Sequence, residues 1–443
     1  MSNAVEESKA AATDAGPRPL SCRILSVGDE LVSGLTVDTN SAFFSVGLAG
    51  VGVRVLGHET IGDDAPRIQE AIRRSASSCD LLLISGGIGP TPDDLTRESL
   101  SAVMGAELVE QPEWTDHIRQ IWSRRGRPMP EGNRKQASIP EGGSLLHNPV
   151  GTAAGVRATL DNCEVFVVPG VPRECRRMFE DHVLPFAREQ ATARGGRVLR
   201  TRAIHTFGIG ESDLAQQLGD ILKRGHYGED IDVGTTASRG IVSVRIYSRA
   251  ATEAAAVATM DEIDADVVKV LGDACFGRDG ETLPEATLAA ARAHTDQPIL
   301  SAAESCTGGL IAKLITDVAG SSAHFRRGVV TYSNEAKTEL LGVQPPLLEQ
   351  HGAVSEPVAA AMAKGVRDAE GSGVAVSTTG IAGPSGGSEQ KPVGTVCIGL
   401  ATDEGVTATT HHFNGDRETV RLRAAYTAID LLRRHLLGGE IDR

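Results

Sequence analysis

The segment "CDLLLISGG", residues 79–87, is almost continuously apolar and ends in a serine and two glycines. Such a run is typical of a β-strand buried on both faces, as in a parallel sheet covered by helices on each side. The flanking segments alternate in type. "CRILSVG" (22–28) and "VRVLGHETIG" (53–62) have strand patterns, whereas "DAPRIQEAIRRSAS" (64–77) has apolar residues at helical spacing. The sequence therefore predicts a doubly wound α/β domain over residues 21–190.

The pattern changes twice after this domain. Residues 191–275 show a strand, a helix, a hairpin with period-2 alternation and an Ala-rich amphipathic helix, which predicts a small α+β domain. Residues 276–443 return to alternating strands and helices and predict a three-layer α/β/α domain. Residues 1–20 precede these domains as a polar tail. The predicted fold class is α/β.

Composition excludes several classes of protein. The chain has 443 residues and a formal net charge of −14, which disfavours a general nucleic-acid-binding protein because phosphate neutralisation needs clustered Lys and Arg. Its seven cysteines form no C-x-x-C pair, which argues against a zinc ribbon or a disulfide framework. The longest apolar runs are too short to cross a bilayer, and the polar tail lacks the apolar core of a signal peptide. We expect a soluble cytoplasmic protein without a membrane partner.

Two loops of the first domain carry a candidate binding site. "SVGDELVSGLTVDTN" (26–40) and "ISGGIGPTPDDLTRE" (84–98) follow predicted strands, where ligands of open α/β sheets bind. Glycines allow a close approach to the backbone, and carboxylates are hard ligands for a divalent metal. Asp93 or Asp94 could instead be ordinary helix caps, as could Asn40 and Ser41. The candidate residues are Glu30, Asp38, Asn40, Gly86, Gly87, Gly89, Asp93 and Asp94, of which Glu30, Asp93 and Asp94 are the predicted metal ligands.

The segment "SAAESCTGGLIAKLI" (301–315) places a possible nucleophile in a strand-to-helix turn. Ser305 would precede the helix, with the backbone N–H groups of Thr307, Gly308 and Gly309 directed outward as an oxyanion hole. Cys306 is better explained as a small buried hydrophobic residue. Ser305 could also be a simple helix N-cap, the commonest role of such a serine.

No histidine of this region lies in an obvious motif, and a lysine is the alternative candidate for the base. In "RRGVVTYSNEAKTELLGV" (326–343) a strand ends near Tyr332, Asn334 is the predicted cap, and Lys337 lies in the first helical turn. The helix dipole repels a cation there, which would lower the pKa of the lysine. A Ser–Lys pair is one variant of the catalytic triad. The alternative is a solvated surface lysine.

A glycine-rich loop and nearby arginines predict a phosphate site. "VSTTGIAGPSGGSEQKPVGTVCIGL" (376–400) is strand, loop, strand, and backbone N–H groups of such loops bind phosphate. "FNGDRETVRLRAAY" (413–426) adds arginines at a helix start. The candidate binding residues are Gly383, Ser385, Gly386, Gly387, Arg417 and Arg421.

These motifs resemble those of the competence/damage-inducible protein A family. "GDELVSGLTVDTNS", "SGGIGPTPDDLT" and "VVPGVPREC" resemble its molybdopterin-binding-like domain, and "AESCTGG", "GVVTYSNEAK", "TTGIAGPSGGSEQKPVGTV" and "GDRETVR" its C-terminal domain. The resemblance implies metal-dependent hydrolysis of ADP-ribose, with Co, Mg or Mn, in the first domain and deamidation of nicotinamide mononucleotide, without a cofactor, in the last. It implies Ser305 and Lys337 as catalytic residues, Tyr332 and Thr379 as active-site residues, and an arginine at Arg421 or Arg417.

The resemblance also implies a KH-like middle domain, which we interpret as a spacer or dimerisation element, and we expect a homodimer. KH domains bind nucleic acid through a G-x-x-G loop. The segment "GIGE" (208–211) lacks that spacing, and its glutamate and the nearby Asp213 would repel phosphate. We therefore expect no direct contact with nucleic acid. Two alternatives remain open. One is a non-catalytic protein that binds molybdopterin or a nucleotide, and the other is an accessory protein in competence or the DNA damage response.

Overall fold

The computed structural model describes residues 18–224, 230–369, 371 and 373–439. The described residues form two compact units, one reaching to Arg200 and including Ser248–Thr259, the other comprising Thr201–Tyr247 and the residues from Met260 onward. The predicted tail lies outside the described residues except for its last three positions. The domain boundaries after residues 190 and 275 stay predictions.

The first unit contains a six-stranded sheet. Its strands, with those of a separate short pair, are β1 (Ser21–Val27), β2 (Arg54–Ile61), β3 (Leu81–Ser85), β4 (Leu108–Glu110), β5 (Ser138–Pro140), β6 (Ser144–Leu146), β7 (Gly155–Leu160) and β8 (Cys163–Val168). The order is β2-β1-β3-β8-β7-β6, and the first four strands are parallel. β7 and β6 continue the sheet antiparallel, which the sequence did not predict. β4 and β5 form the separate antiparallel pair.

Helices cover both faces of this sheet. The α-helices of this unit are α1 (Asp29–Val32), α2 (Thr39–Gly50), α3 (Ala65–Ala76), α4 (Thr96–Met104), α5 (Pro112–Arg124), α6 (Pro172–Met178) and α7 (Leu184–Ala193). All five residues of β3 are buried. Leu82 and Ile84 pack with α3 and α4 on one face, while Leu81 and Leu83 pack with α2 on the other. The predicted doubly wound domain is therefore confirmed.

The middle segment has the predicted strand, helix, hairpin and long helix. Its elements are β9 (Val198–Phe207), α8 (Glu211–Gln217), α9 (Gly219–Leu222), β10 (Ile231–Ser238), β11 (Ile241–Ala250), α10 (Glu253–Leu271) and β12 (Cys275–Arg278). The four strands form a sheet in the order β10-β11-β9-β12. This arrangement is the predicted α+β fold.

The last part of the chain is a three-layer α/β/α domain, as predicted. Its strands are β13 (Leu300–Glu304), β14 (Phe325–Val330), β15 (Val374–Gly380), β16 (Thr395–Thr402) and β17 (Gly405–His412), in the order β14-β13-β15-β16-β17. Its helices are α11 (Leu283–Ala293), α12 (Leu310–Thr316), α13 (Asn334–Leu341), α14 (Pro345–His351), α15 (Glu356–Asp368) and α16 (Arg417–Leu436). α11, α12 and α16 pack on one face of the sheet, and α13 and α15 on the other.

The parallel direction of three strands in this sheet brings the candidate residues to one edge. β14, β13 and β15 are parallel, so the turns after Glu304, Val330 and Gly380 emerge at the same edge. β16 and β17 are antiparallel and extend the sheet on one side. Within the described ranges, no helix has the length and apolar character needed to cross a membrane.

Candidate active site

The turn that carries Ser305 depends on two glycines. It joins the end of β13 to the start of α12, and Gly308 and Gly309 adopt φ values of +61° and +91°. Residues other than glycine rarely adopt this left-handed backbone conformation. A Cβ atom at Gly308 would also lie 3.2 Å from the guanidinium of Arg421. The glycines therefore permit both the sharp turn and the close approach of an arginine.

Lys337 lies directly against Ser305. Its Nζ is 3.1 Å from the Ser305 Oγ, 2.9 Å from the Thr331 carbonyl oxygen and 3.4 Å from the Ser333 carbonyl oxygen. Carbonyl oxygens only accept hydrogen bonds, so they occupy two N–H groups of the amine. A neutral amine then directs its lone pair at the Ser305 hydroxyl. The geometry suits transfer of a proton from serine to lysine.

Burial makes the neutral form of this lysine accessible. Lys337 is 1% exposed, and burial lowers the pKa of its amine, opposed by the carboxylate of Glu335. Among the described residues, no carboxylate lies within ion-pair distance of Nζ. The sequence attributed this shift to the helix terminus, but its main cause is loss of water. Ser333 caps α13 in place of the predicted Asn334, which is the first helical residue.

We expect this lysine to make the free energy of unfolding depend on pH. The pKa of Lys337 is lowered from its ordinary value of 10.5, so between the two values the unfolded chain binds more protons than the folded chain. Stability from this group should therefore rise with pH up to the ordinary value and fall as pH decreases. Urea unfolding from about pH 8 to about pH 10 measures the slope. Lys337→Met should flatten it, and equal slopes in both proteins would contradict the prediction.

Two backbone groups remain as oxyanion donors. The N–H groups of Thr307 and Gly309 have no acceptor in the part of the chain described here. The Gly308 N–H, predicted as a third donor, instead bonds the Ser305 carbonyl at 3.2 Å, so that prediction was wrong. The side chain of Thr307 is buried and contacts the Thr378 hydroxyl at 2.7 Å. The whole residue is 0% exposed, so of these two N–H groups that of the half-buried Gly309 is the more accessible to a ligand.

Tyr332 and Thr379 differ in their accessibility. Tyr332 is 64% exposed, and its hydroxyl accepts a hydrogen bond from Arg417 at 3.1 Å. Thr379 is buried, and its hydroxyl donates to the Ala353 carbonyl at 2.8 Å. The tyrosine is thus open to a ligand, whereas the threonine fixes the segment that follows α14.

The two predicted arginines lie one helical turn apart on α16. Arg417 donates to the Gly383 carbonyl at 2.7 Å, and Arg421 donates to the Thr307 carbonyl at 2.7 Å. They therefore connect the glycine-rich loop and the Ser305 turn to the same helix. The N–H groups of Ser385, Gly386 and Gly387 have no acceptor among the described residues and remain available to an anion.

Sequence reasoning missed Glu304 as a functional residue. Its carboxylate is fully buried and accepts hydrogen bonds from the N–H groups of Ile311 and Ala312. A charged residue at the end of an otherwise small and apolar strand was the available signal. The carbonyl of Thr378, in β15, also fixes this turn by accepting the Ser305 N–H at 2.9 Å.

The candidate residues of the first unit have mostly structural partners. Asp38 caps α2 by accepting from the Ser41 N–H and hydroxyl, so the cap is neither Asn40 nor Ser41. Asn40 donates to the Gly170 carbonyl at 2.8 Å, and its Oδ1 is buried without a partner among the described residues. A Cβ atom at Gly86, where φ is +101°, would lie 2.2 Å from the Val27 carbonyl oxygen. Gly87 accepts the Thr96 N–H, which fixes the start of α4.

The predicted metal ligands do not form a metal site. Asp94 accepts hydrogen bonds from the Gly89 N–H and from Thr91, which occupy both carboxylate oxygens. The cap position of α4 is Leu95, so neither Asp93 nor Asp94 caps this helix. Burial, then the carboxylates of Asp29, Glu30 and Asp93, raise the pKa of Asp63. Negative charge accumulates here, yet the described residues contain no group of three or more His, Cys, Asp or Glu placed to hold a metal ion.

Comparison with known proteins matches each part of the chain to a family model. Residues 23–189 match a probable molybdopterin binding domain, residues 201–277 the damage-inducible protein CinA KH domain, and residues 283–436 the CinA C-terminal domain. A competence-damage inducible protein of Symbiobacterium thermophilum is 44% identical over 94% of this chain and 98% of its own length. A CinA-like protein of Geobacter sulfurreducens is 41% identical over 93% and 98%.

Several solved structures are similar to part of the chain. The competence/damage inducible protein of Agrobacterium tumefaciens is 42% identical and covers 34% of this chain and 94% of its own, with a TM-score of 0.32.

Proposed function

This chain belongs to the CinA family of competence/damage-inducible proteins, and we propose that its C-terminal domain is an amidohydrolase. The substrate is nicotinamide mononucleotide, which reacts with water to give nicotinate mononucleotide and ammonia. The observation that carries this proposal is the 3.1 Å contact between the Ser305 hydroxyl and the buried amine of Lys337. A nucleophile beside a base whose pKa is lowered is the arrangement that covalent amide hydrolysis needs.

In the first step the neutral amine of Lys337 takes the proton of Ser305. The serine oxygen attacks the carboxamide carbon, and the resulting oxyanion accepts hydrogen bonds from the N–H groups of Thr307 and Gly309. Such donors are effective because they are already oriented before charge develops. Tyr332, which the sequence predicted as a helper, is exposed, and its hydroxyl accepts a hydrogen bond from Arg417.

In the second step the carbon–nitrogen bond breaks. Lys337 returns the proton to the leaving nitrogen, so ammonia departs and an acyl ester on Ser305 remains. Water then attacks the ester while Lys337 accepts a proton from it. As the bond between the carbonyl carbon and the Ser305 oxygen breaks, Lys337 gives that proton to the serine oxygen, and nicotinate mononucleotide is released with the enzyme restored. No metal enters these steps. The loop that contains Ser385, Gly386 and Gly387, together with the two arginines of α16, is suited to the 5′-phosphate.

Ammonia release from the purified full chain tests the proposal. Nicotinamide mononucleotide should yield one ammonia per nicotinate mononucleotide formed, and a chelator should not change the rate. A non-catalytic molybdopterin- or nucleotide-binding protein would bind its ligand without releasing ammonia. An accessory protein in competence or the DNA damage response would likewise leave the nucleotide intact. Either result would overturn the proposal.

The second activity, metal-dependent cleavage of ADP-ribose by the first domain, stays a prediction of the family resemblance. In the described part of the chain, the predicted carboxylates do not gather into a group of three or more metal ligands. It predicts that a chelator stops AMP release from ADP-ribose while ammonia release in the same sample continues. AMP release that survives the chelator would contradict the metal requirement.

A further inference from the structure

Glu304 is a buried carboxylate that the proposed mechanism does not use. It is the last residue of β13 and is fully buried. One carboxylate oxygen accepts the Ile311 N–H at 3.1 Å, and the other accepts the Ala312 N–H at 2.8 Å. Burying a charge is costly unless hydrogen bonds compensate it. Hydrogen bonds to both carboxylate oxygens therefore compensate the burial of Glu304.

The carboxylate closes the turn that carries the nucleophile. Within the described residues α12 has no side-chain cap at Gly309, so without Glu304 the N–H groups of Ile311 and Ala312 would lack acceptors. Glu304 precedes the turn, and its carboxylate accepts hydrogen bonds from the helix that follows the turn. These bonds hold together the two ends of the loop formed by residues 305–309. Bonds from a carboxylate to backbone N–H groups are charge-assisted and shorter than neutral ones. The position of Ser305 is thereby restricted.

The backbone of Glu304 restricts the lysine as well. Its carbonyl oxygen accepts the Thr331 N–H at 2.8 Å, and the Thr331 carbonyl accepts a hydrogen bond from the Lys337 Nζ at 2.9 Å. One residue thus joins the segments that carry the nucleophile and the base. We propose that Glu304 is a positioning residue that sets the separation between the Ser305 Oγ and the Lys337 Nζ. This inference rests on the proposed function.

The competing explanation is a helix cap that contributes stability alone. Glu285 provides the comparison, because it is the exposed carboxylate of a capping box at the start of α11 in the same unit. Glu285→Gln removes the charge of a carboxylate that caps a helix carrying none of the candidate site residues. It is therefore a matched control for Glu304→Gln, and the two variants separate loss of a cap from loss of positioning.

Steady-state ammonia release tests the inference. Glutamine can accept one of the two helix N–H groups, but its own NH2 group opposes the other. Glu304→Gln should lower kcat about 10²-fold, the cost of a small misplacement of reacting groups, with KM changed less than about twofold. Glu285→Gln should retain both parameters. A Glu304→Gln enzyme with unchanged kcat, or with the loss confined to KM, would overturn the positioning role.

A second measurement separates this inference from the proposed function. A fluorophosphonate probe labels an activated serine without any nucleotide, and mass spectrometry reports labelling of Ser305. The rate of Ser305 labelling should be lower in Glu304→Gln than in Glu285→Gln. This difference should appear even if the wild-type chain releases no ammonia, a result that would refute only the proposed substrate. Should Glu304→Gln not fold, Glu304→Asp keeps the charge with a shorter reach. Failure of both to fold, or equal labelling rates, would overturn the inference.

Discussion

Ser305→Ala is expected to reduce ammonia release from nicotinamide mononucleotide by about 10⁴-fold or more, because removal of a serine nucleophile leaves only binding and the oxyanion donors. The substitution deletes one oxygen atom from a site whose turn is held by other bonds, including the Ser305 N–H to the Thr378 carbonyl. We expect the fold and the midpoint of urea unfolding to change little. Ammonia release under saturating substrate measures the effect.

The adjacent thiol provides the control. Burial raises the pKa of Cys306 to about 12, so almost none of this thiol is ionised at neutral pH. Cys306→Ala should therefore retain activity within a few-fold. If Cys306→Ala abolished turnover while Ser305→Ala retained it, the nucleophile would be the cysteine and the proposed mechanism would be wrong.

Lys337→Met is expected to reduce ammonia release by about 10³-fold, within the range attributed to general acid–base catalysis. Methionine approximates the length and volume of the lysine stem but has no amine, so proton transfer from Ser305 and to the leaving nitrogen is lost. The carbonyl groups of Thr331 and Ser333 lose their donor, which should cost about 1–3 kcal/mol of stability. Activity and urea unfolding together separate the two effects.

Lys313→Met is the matched control for this prediction. Lys313 lies on α12 in the same unit, but its side chain is 63% exposed and pairs with Asp317. Exposed ion pairs contribute little to stability, so this variant should resemble the wild type in both assays. Near-normal turnover in Lys337→Met would remove the lysine from the mechanism.

The fold was largely predictable because its strands carry unambiguous patterns. The run from Leu81 to Ser85 is fully buried, as its uniform apolarity indicated. The strands β6 and β7 were not predicted, because a short antiparallel extension at a sheet edge has a weaker pattern than a central strand. The structure also brings Ser305, Lys337, Tyr332 and both arginines to one edge of the last sheet, where the motifs had suggested a site.

Bond partners were less predictable than positions. The sequence could not show that the Gly308 N–H is bonded within the turn, that Asp94 holds its own loop, or that Ser333 caps α13. Several hydrogen-bond donors and acceptors lie close together at each of these positions. The geometry of the turn decides which of them form a bond. The burial of Lys337 likewise depends on packing by segments distant in sequence. The local sequence around this residue resembles that of an exposed helix carrying a surface lysine.

The enclosure of Lys337 has a consequence for chemical labelling. An acetylating reagent dissolved in water reaches exposed amines such as those of Lys313 and Lys364, whose side chains are 63% and 61% exposed, but not one that is 1% exposed. A mass-spectrometric footprint of the native protein should therefore show an unmodified residue 337 among acetylated neighbours. The loss of that protection would report an opened site before any change in overall secondary structure.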